Sequence, residues 1–183
     1  QLLSDNAALR RLGGNRLLLP ALTGVVFGAV GIVGMMTPLR FAPGIIFDGR
    51  SIVLSVAGLF GGPVVALIAA FMCGAYRLWL GGGGALMGVS VITESALLGV
   101  LFHYLRRRNP RRISRNATLL GFGFAVHAVM LMMMALLPAG TRMETVRRIG
   151  PWVITLYPVA TMLLCRLFLE MEDRREKEAA LRL

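Results

Sequence analysis

Residues 48–84 read DGRSIVLSVAGLFGGPVVALIAAFMCGAYRLWLGGGG, and this segment predicts the architecture of the whole chain. Between Arg50 and Arg77 it holds 26 consecutive uncharged, mostly apolar residues. Gly61-Gly62-Pro63 interrupts the run near its middle, and two glycines with a proline disfavour a continuous helix by roughly several kcal/mol. We therefore expect a helical hairpin that enters the membrane and returns.

The predicted hairpin brings two arginines to a similar depth. At about 1.5 Å per residue, Arg50 lies about 18 Å before the Gly-Gly-Pro break and Arg77 about 21 Å after it. Guanidinium groups are permanently charged and planar, so two of them at one end of an apolar hairpin need anions, such as a small carboxylate or phosphate. In the alternative interpretation, each arginine extends to lipid phosphates or pairs with Asp48 or Glu94 in a purely structural role.

Composition predicts an all-α membrane protein. Of the 183 residues, 56% are hydrophobic and only 16% are charged, which is the balance of a membrane protein rather than of a soluble domain. With the hairpin counted as two short helices, there are six membrane segments. They lie in the apolar runs 17–36, 51–76 (both hairpin arms), 81–104, 116–141 and 149–165.

The distribution of basic residues predicts that both termini are cytoplasmic. A net charge of +11 would suggest nucleic-acid binding in a soluble chain, but the cytoplasmic loops of membrane proteins collect Lys and Arg. With six segments, fourteen basic residues fall on the side of the termini and six on the opposite side. A continuous second span would place the basic loop at residues 106–115 outside, which disfavours that alternative. We expect no nucleic-acid partner.

The helix predicted after the glycine run carries further candidate ligand contacts. Ser90 and Glu94 are one turn apart and face the same way, and Thr93 adjoins them. Glu94 is expected about 14 Å from the start of the helix, where a carboxylic acid has to be neutral, paired or beside water. The expected partner of Glu94 is Arg77 or Arg50.

Both ends of the chain predict helices outside the membrane core. Residues 1–16 are amphipathic and predict an N-terminal juxtamembrane helix, whereas residues 17–166 form the transmembrane domain. Residues 167–183 are charged and are expected to continue the last span into the cytoplasm as a signalling helix or linker. Their apolar spacing is a weak coiled-coil pattern, because Arg174 and Glu178 fall at core positions, and a solvated helix end is the alternative.

Two connections contain proline and glycine and are expected to be loops on the outer side. The first is residues 37–49, expected to be ordered but irregular, and the second is residues 138–151. The last span is then expected to begin at Pro151-Trp152.

No cofactor or metal site is expected. His103 and His127 have no cysteine or carboxylate at ligand spacing, and the methionines within residues 130–134 are interpreted as packing or lipid-facing groups. Cys73 and Cys165 lie inside apolar segments, which favours packed thiols over a disulfide. The sequence shows no paired carboxylates and no nucleophile with a base at helical spacing, so we expect this chain to have no enzymatic activity of its own.

The ordered motifs resemble a known family of membrane receptors. The motifs are Phe47-Asp48-Gly49-Arg50, then Ala57-Gly58-Leu59-Phe60-Gly61-Gly62-Pro63, then Tyr76-Arg77 and Gly81-Gly82. In this order they are similar to the five-transmembrane receptor domain of the LytS/YhcK type (5TMR-LYT), and the resemblance covers about residues 17–170.

This resemblance implies a sensory domain of the bacterial inner membrane whose signal passes to a cytoplasmic histidine kinase of a two-component system or to a diguanylate cyclase that makes cyclic-di-GMP. Some members sense pyruvate or related small carboxylates, and the two arginines of the family match Arg50 and Arg77. Members often carry asparagine where this chain has Asp48, and the added carboxylate is able to neutralise Arg50. Polar groups that some members place on the next helix match Ser90 and Thr93 only loosely.

Two functions follow as expectations. In the first, the chain is a sensory input domain that binds a small carboxylate from the periplasmic side, forms a homodimer in the lipid bilayer and drives an output domain in the same chain. In the second, it is a substrate-capture subunit of a transporter, because the family looks similar to the substrate-binding subunits of energy-coupling-factor vitamin transporters. The Gly61-Gly62-Pro63 break would then be a broken-helix substrate site. The charged C-terminal helix favours the sensor.

Overall fold

The architecture is a bundle of long helices joined by short connections. The structure, a computed structural model, describes residues 17–37, 39–42 and 45–181. Its helices are α1 (Leu18–Met36), α2 (Arg50–Leu80), α3 (Ala85–Arg108), α4 (Pro110–Ile113), α5 (Asn116–Met133) and α6 (Ala139–Ala180), with a 3₁₀ turn at Met134–Leu136.

The all-α membrane fold predicted from the sequence is confirmed. Every one of these helices except the short α4 is long and apolar enough to cross a membrane, which gives five candidate spans in the described part of the chain. The chain is therefore a multi-pass membrane protein. The juxtamembrane helix predicted for residues 1–16 lies outside the described residues.

Helix α2 is interrupted at Gly62, where the Gly-Gly-Pro motif predicts a break. Gly62 has φ of 74° and ψ of −168°, a conformation that glycine adopts without a steric penalty. The chain folds back here, because Leu54 before the break and Cys73 after it belong to one buried cluster, whereas a straight helix would separate them by about 28 Å. We call residues 50–61 arm A and residues 63–80 arm B.

Helix α1 packs on arm B through small residues. A Cβ atom at Gly28 would lie 2.7 Å from the Met72 sulfur, and one at Gly31 would lie 2.5 Å from the Cys73 sulfur. Gly24 is similarly close to arm B. Close approach of this kind is the usual means by which helices pack in lipid.

Arm A and α3 cross even more closely. A Cβ atom at Gly58 would lie 2.9 Å from the Gly99 Cα, and one at Gly99 would overlap with the Ser55 carbonyl oxygen. The two backbones are therefore in direct contact, and this contact fixes the position of arm A along α3.

Helix α6 is longer than predicted, because residues 139–150, expected to belong to a loop, form its first turns. The Pro138 carbonyl oxygen accepts hydrogen bonds from the N–H groups of Thr141 at 3.0 Å and Arg142 at 3.1 Å, so the helix begins here rather than at Pro151. Ile149 and Val153 are buried in a cluster with residues of α3 and α5. Packing of these residues in the bundle helps to hold the helix together across Pro151, where a proline costs about 3 kcal/mol.

The connection between α1 and α2 also differs from the irregular loop that its prolines and glycines predict. It contains two short antiparallel strands, β1 (Leu39–Ala42) and β2 (Ile45–Phe47), in which Leu39 pairs with Phe47 and Arg40 with Ile46. The register shifts after Arg40. The run Ile-Ile-Phe in β2 consists of residue types that favour strands, which accounts for the pairing.

Candidate functional site

Arg50 begins α2 and is held by the acidic residue two positions before it. Asp48 Oδ1 accepts a hydrogen bond from the Arg50 backbone N–H at 2.9 Å and lies 3.5 Å from Arg50 Nε. The two side chains are 3% and 6% exposed, respectively. Within the described part of the chain, Asp48 Oδ2 and Arg50 Nη1 make no hydrogen bond. The carboxylate thus engages the Nε edge of the guanidinium and leaves Nη1 available.

Arg77 lies near the end of arm B and is enclosed by glycines. Its side chain is buried at 1% exposure, and its Nη1 atom donates a hydrogen bond to the Gly81 carbonyl oxygen at 2.6 Å. A Cβ atom at Gly88 on α3 would lie 2.5 Å from Arg77 Nε, so the absence of a side chain at Gly88 makes room for the guanidinium. The glycine run after α2 and the first turn of α3 together form the pocket of Arg77.

The fold-back brings Asp48, Arg50 and Arg77 together. The three charges lie within electrostatic range of one another, although Arg50 and Arg77 are 27 positions apart in the chain. With Asp48 ionised, their formal charges sum to +1. Two buried guanidinium groups beside one carboxylate form a site whose chemistry suits a small anion, because planar N–H forks match carboxylate oxygens.

The protonation of Asp48 adjusts this charge. Burial raises the pKa of the Asp48 carboxyl above its usual range, while the nearby Arg50 charge and the Arg50 backbone N–H act in the opposite direction. A proton on Asp48 raises the formal charge of the three groups from +1 to +2, so the site attracts anions more strongly at lower pH.

Three further polar side chains surround this site, and sequence reasoning missed their connection. Ser51 Oγ lies 3.2 Å from His127 Nε2, and the His127 ring contacts the Tyr157 ring edge-on at 5.2 Å between centroids. Tyr157 on α6 lies within electrostatic range of Asp48 and Arg50. The only sequence signal was a hydroxyl next to Arg50 and a lone histidine in an apolar helix.

His127 acts as a link between helices in this arrangement. Its Nδ1 atom lies 2.7 Å from the Gly123 carbonyl oxygen, which only accepts, so Nδ1 carries the proton and Nε2 accepts the hydrogen bond from the Ser51 hydroxyl. Both ring nitrogens are thus engaged. Among the described residues, no three His, Cys, Asp or Glu side chains are grouped closely enough to hold a metal ion.

The candidates on α3 occupy different environments. Glu94 is 8% exposed, and its Oε1 atom accepts a hydrogen bond from the Ser95 hydroxyl at 2.9 Å. Within the described residues Glu94 forms no ion pair, and its Oε2 atom has no hydrogen-bond partner. The expected Arg77 or Arg50 partner is therefore replaced by a neighbouring serine, and the environment of Glu94 favours its neutral form.

Ser90 and Thr93 are less enclosed than Glu94. Ser90 is half-buried, whereas Thr93 is exposed and donates its hydroxyl proton to the Val89 carbonyl oxygen at 2.9 Å. Thr93 lines an open, apolar groove of about 470 Å³ between arm B and α3 together with Pro63 and Phe71. The structure therefore places Thr93 on the outside of the bundle, while Arg50 and Arg77 are buried.

A residue of α3 supplies the backbone hydrogen bond that is missing at the break in α2. Pro63 has no N–H to donate to the carbonyl oxygen four residues earlier, which belongs to Leu59. His103 Nδ1 lies 3.0 Å from that oxygen and donates the missing hydrogen bond. The His103 ring also lies against Gly62, where a Cβ atom would be 3.1 Å from it. His103 therefore has a structural role that the sequence alone did not indicate.

The end of arm A contacts the C-terminal part of α6. The Phe60 ring lies 5.2 Å from the Phe168 ring, and the Arg106 guanidinium lies 4.8 Å from the Phe60 ring centroid. Arg106 on α3 also donates two hydrogen bonds to the Glu172 carboxylate, at 2.5 and 3.3 Å. Arm A thus extends from the arginine site at Arg50 to the helix that continues to Ala180.

Comparison with known proteins identifies the family of the chain. The family model described as 5TMR of 5TMR-LYT matches residues 9–171, which is most of the chain. No curated protein and no solved structure is significantly similar to the chain. The matched region contains the arginine site, both arms of α2 and the contact with α6, and a domain of this family is a membrane sensory input module without catalytic function. The chain belongs to the 5TMR-LYT family of membrane receptor domains.

Proposed function

We propose that this sensory domain binds a small carboxylate of the pyruvate type between Arg50 and Arg77 and signals to a cytoplasmic histidine kinase or diguanylate cyclase. The observation that carries the proposal is the fold-back of α2, which brings two buried arginines into electrostatic range of each other. Buried guanidinium groups in a membrane are costly and usually mark a functional site, and an anion between them relieves their mutual repulsion.

The size of the ligand follows from the enclosure of the site. Arg50 and Arg77 are 5% and 1% exposed, so a ligand has to be small to reach their guanidinium groups. A planar carboxylate with a short substituent matches such a site better than a bulky anion does. The Arg50 Nη1 atom is a free donor within the described residues, and it is the first contact that we assign to the ligand.

Signal transmission uses arm A. Its first residue, Arg50, lies in the site, and Phe60 near its other end packs on Phe168 of α6 about 15 Å away along the helix axis. A displacement of arm A by the ligand therefore acts directly on α6. Helix α6 continues without interruption to Ala180, which suits a connection to an output domain and to a partner copy in a homodimer.

The orientation follows from charge. The basic loop at residues 106–115 and the tail after Phe168 lie at the same end of the bundle, since Arg106 binds Glu172. Cytoplasmic segments collect Lys and Arg, so this end is assigned to the cytoplasm and the arginine site to the periplasmic side of a bacterial inner membrane.

A titration of the purified domain in lipid nanodiscs tests the ligand. Pyruvate, related short carboxylates and uncharged pyruvamide are titrated against wild type, Arg50→Ala and Arg77→Ala. Arg148→Ala is the matched control, because Arg148 pairs with Glu144 on the exposed surface of α6. We expect each site variant to lose carboxylate binding at least tenfold and the control to retain it. Unchanged affinity in both site variants would overturn the proposal.

The transporter alternative is supported by the non-helical break at Gly62, since transporters place substrates at broken helices. However, the carbonyl group that the break frees, at Leu59, already accepts a hydrogen bond from His103. The carbonyl oxygen at the break is therefore already paired within the protein, and the groove that Pro63 lines beside it is apolar. Counterflow of a labelled carboxylate in proteoliposomes distinguishes the two functions, because a transporter exchanges the label across the membrane and a sensor domain does not.

A further inference from the structure

Helix α6 reaches the arginine site through Tyr157. The Tyr157 side chain lies within electrostatic range of both Asp48 and Arg50, although it is more than 100 residues away in the chain. Its ring packs edge-on against His127, whose Nε2 atom accepts the hydrogen bond from Ser51, the residue next to Arg50. These contacts fix Tyr157 beside the first turn of α2.

The hydroxyl group of Tyr157 is not used by the protein. Within the described residues it makes no hydrogen bond, although the ring is partly buried against the cluster that contains Met130 and Val153. Phenolic hydroxyls in such positions normally find a partner. The neighbouring His127 does not serve, because both of its ring nitrogens are already engaged by Ser51 and Gly123.

We propose that Tyr157 is a third ligand contact, which donates its hydroxyl proton to an oxygen atom of the carboxylate held by Arg50 and Arg77. This inference rests on the proposed function and extends it. Arg50 and Arg77 both belong to α2, so a ligand held by them alone touches a single helical hairpin. With Tyr157 included, the ligand joins α2 directly to α6, the helix that leads to the C-terminal end.

The chemistry fits a carboxylate ligand. A neutral phenol adds a donor without adding charge, so it supports the anion without increasing the repulsion between the arginines. A hydrogen bond to a charged oxygen atom contributes about tenfold or more to affinity. Because the donor is on α6, that part of the binding energy is gained only when α6 lies close to arm A, which makes the position of α6 depend on the ligand.

Removal of the hydroxyl group alone tests this assignment. Tyr157→Phe keeps the ring and its packing on His127, and Tyr104→Phe is the matched control because Tyr104 is 50% exposed on α3. Pyruvate and acetate are titrated by calorimetry in nanodiscs, and thermal unfolding is recorded without ligand. We expect Tyr157→Phe to weaken binding of both acids about tenfold with unchanged unfolding, and Tyr104→Phe to bind as wild type.

Three distinguishable outcomes overturn the assignment. If Tyr157→Phe binds as wild type while Arg50→Ala loses binding, the arginine site stands and Tyr157 lies outside it. If neither variant changes the affinity, the arginine site itself fails and the tyrosine contact fails with it. A third result, equal loss in Tyr157→Phe and Tyr104→Phe, would also contradict a specific contact by Tyr157.

Discussion

Replacement of Asp48 by asparagine is expected to tighten anion binding. Asparagine retains an oxygen atom that accepts the hydrogen bond from the Arg50 backbone N–H, so the start of α2 is preserved. The substitution removes only the negative charge beside Arg50. A ligand carboxylate and the Asp48 carboxylate otherwise compete for the same guanidinium group.

The size of the effect follows from the geometry. Asp48 Oδ1 lies 3.5 Å from Arg50 Nε, on one edge of the guanidinium. An anion bound at the far nitrogens would be about 7 Å from Asp48, and two like charges at this distance repel by about 2.4 kcal/mol at an effective dielectric constant of about 20. Removal of the charge is therefore worth about 50-fold in affinity.

The pH dependence of ligand affinity is a second test of the direction of this effect. Burial raises the pKa of Asp48, so the group is protonated at low pH and ionised as the pH rises. Wild-type affinity for the carboxylate is therefore highest on the acid side and falls as the pH increases through this pKa, whereas Asp48→Asn is expected to show little change. The two curves should converge at low pH.

The measurement is a calorimetric titration of both proteins with pyruvate in nanodiscs at several pH values, with thermal unfolding as a control for the fold. If Asp48→Asn binds pyruvate no better than wild type above neutral pH while it remains folded, the competition argument is wrong. Parallel pH profiles of the two proteins would contradict it equally.

Three other substitutions test the framework of the site. His103→Ala leaves the buried Leu59 carbonyl without its donor and is expected to lower the free energy of unfolding by about 1–3 kcal/mol. His103→Gln is expected to recover part of this loss. If His103→Ala and His103→Gln are equally stable, His103 does not have this role. Arg106→Glu and Glu172→Arg should each destabilise the protein, and the double swap should restore stability. Because the pair is partly exposed, we expect a coupling energy of about 0.5–1 kcal/mol. A coupling energy of zero in thermal unfolding would exclude a stabilising salt bridge. Gly99→Val should cost about 1–3 kcal/mol by forcing the opposing backbone away, and wild-type stability in steric-trapping experiments would rule out the close crossing.

The sequence predicted the parts of the fold that depend on local signals. Gly61-Gly62-Pro63 located the break in α2, because the conformational penalty of these residues is intrinsic to the chain. The extent of α6 was predicted incorrectly, because proline and glycine in residues 138–151 indicated a loop while tertiary burial of Ile149 stabilised a helix.

The site was predictable only in part. The structure brings Asp48, Arg50 and Arg77 together, and their positions in the sequence suggested this through the length of the two arms. Other contacts depend on how separate helices pack, namely the hydrogen bond between Ser51 and His127 and the packing of Tyr157 on His127. The spacing of residues along the chain does not predict contacts of this kind.

The contact between Gly58 and Gly99 limits which helices are able to move relative to one another. Main chain lies on main chain at this point, so a change of side-chain rotamer cannot absorb a shift, and we expect arm A and α3 to move together. Rotatable side chains are found instead on the α6 side, at Phe168 and Glu172. We therefore expect a displacement of arm A by the proposed ligand to be accommodated at this contact with α6, beside the helix that leaves the bundle.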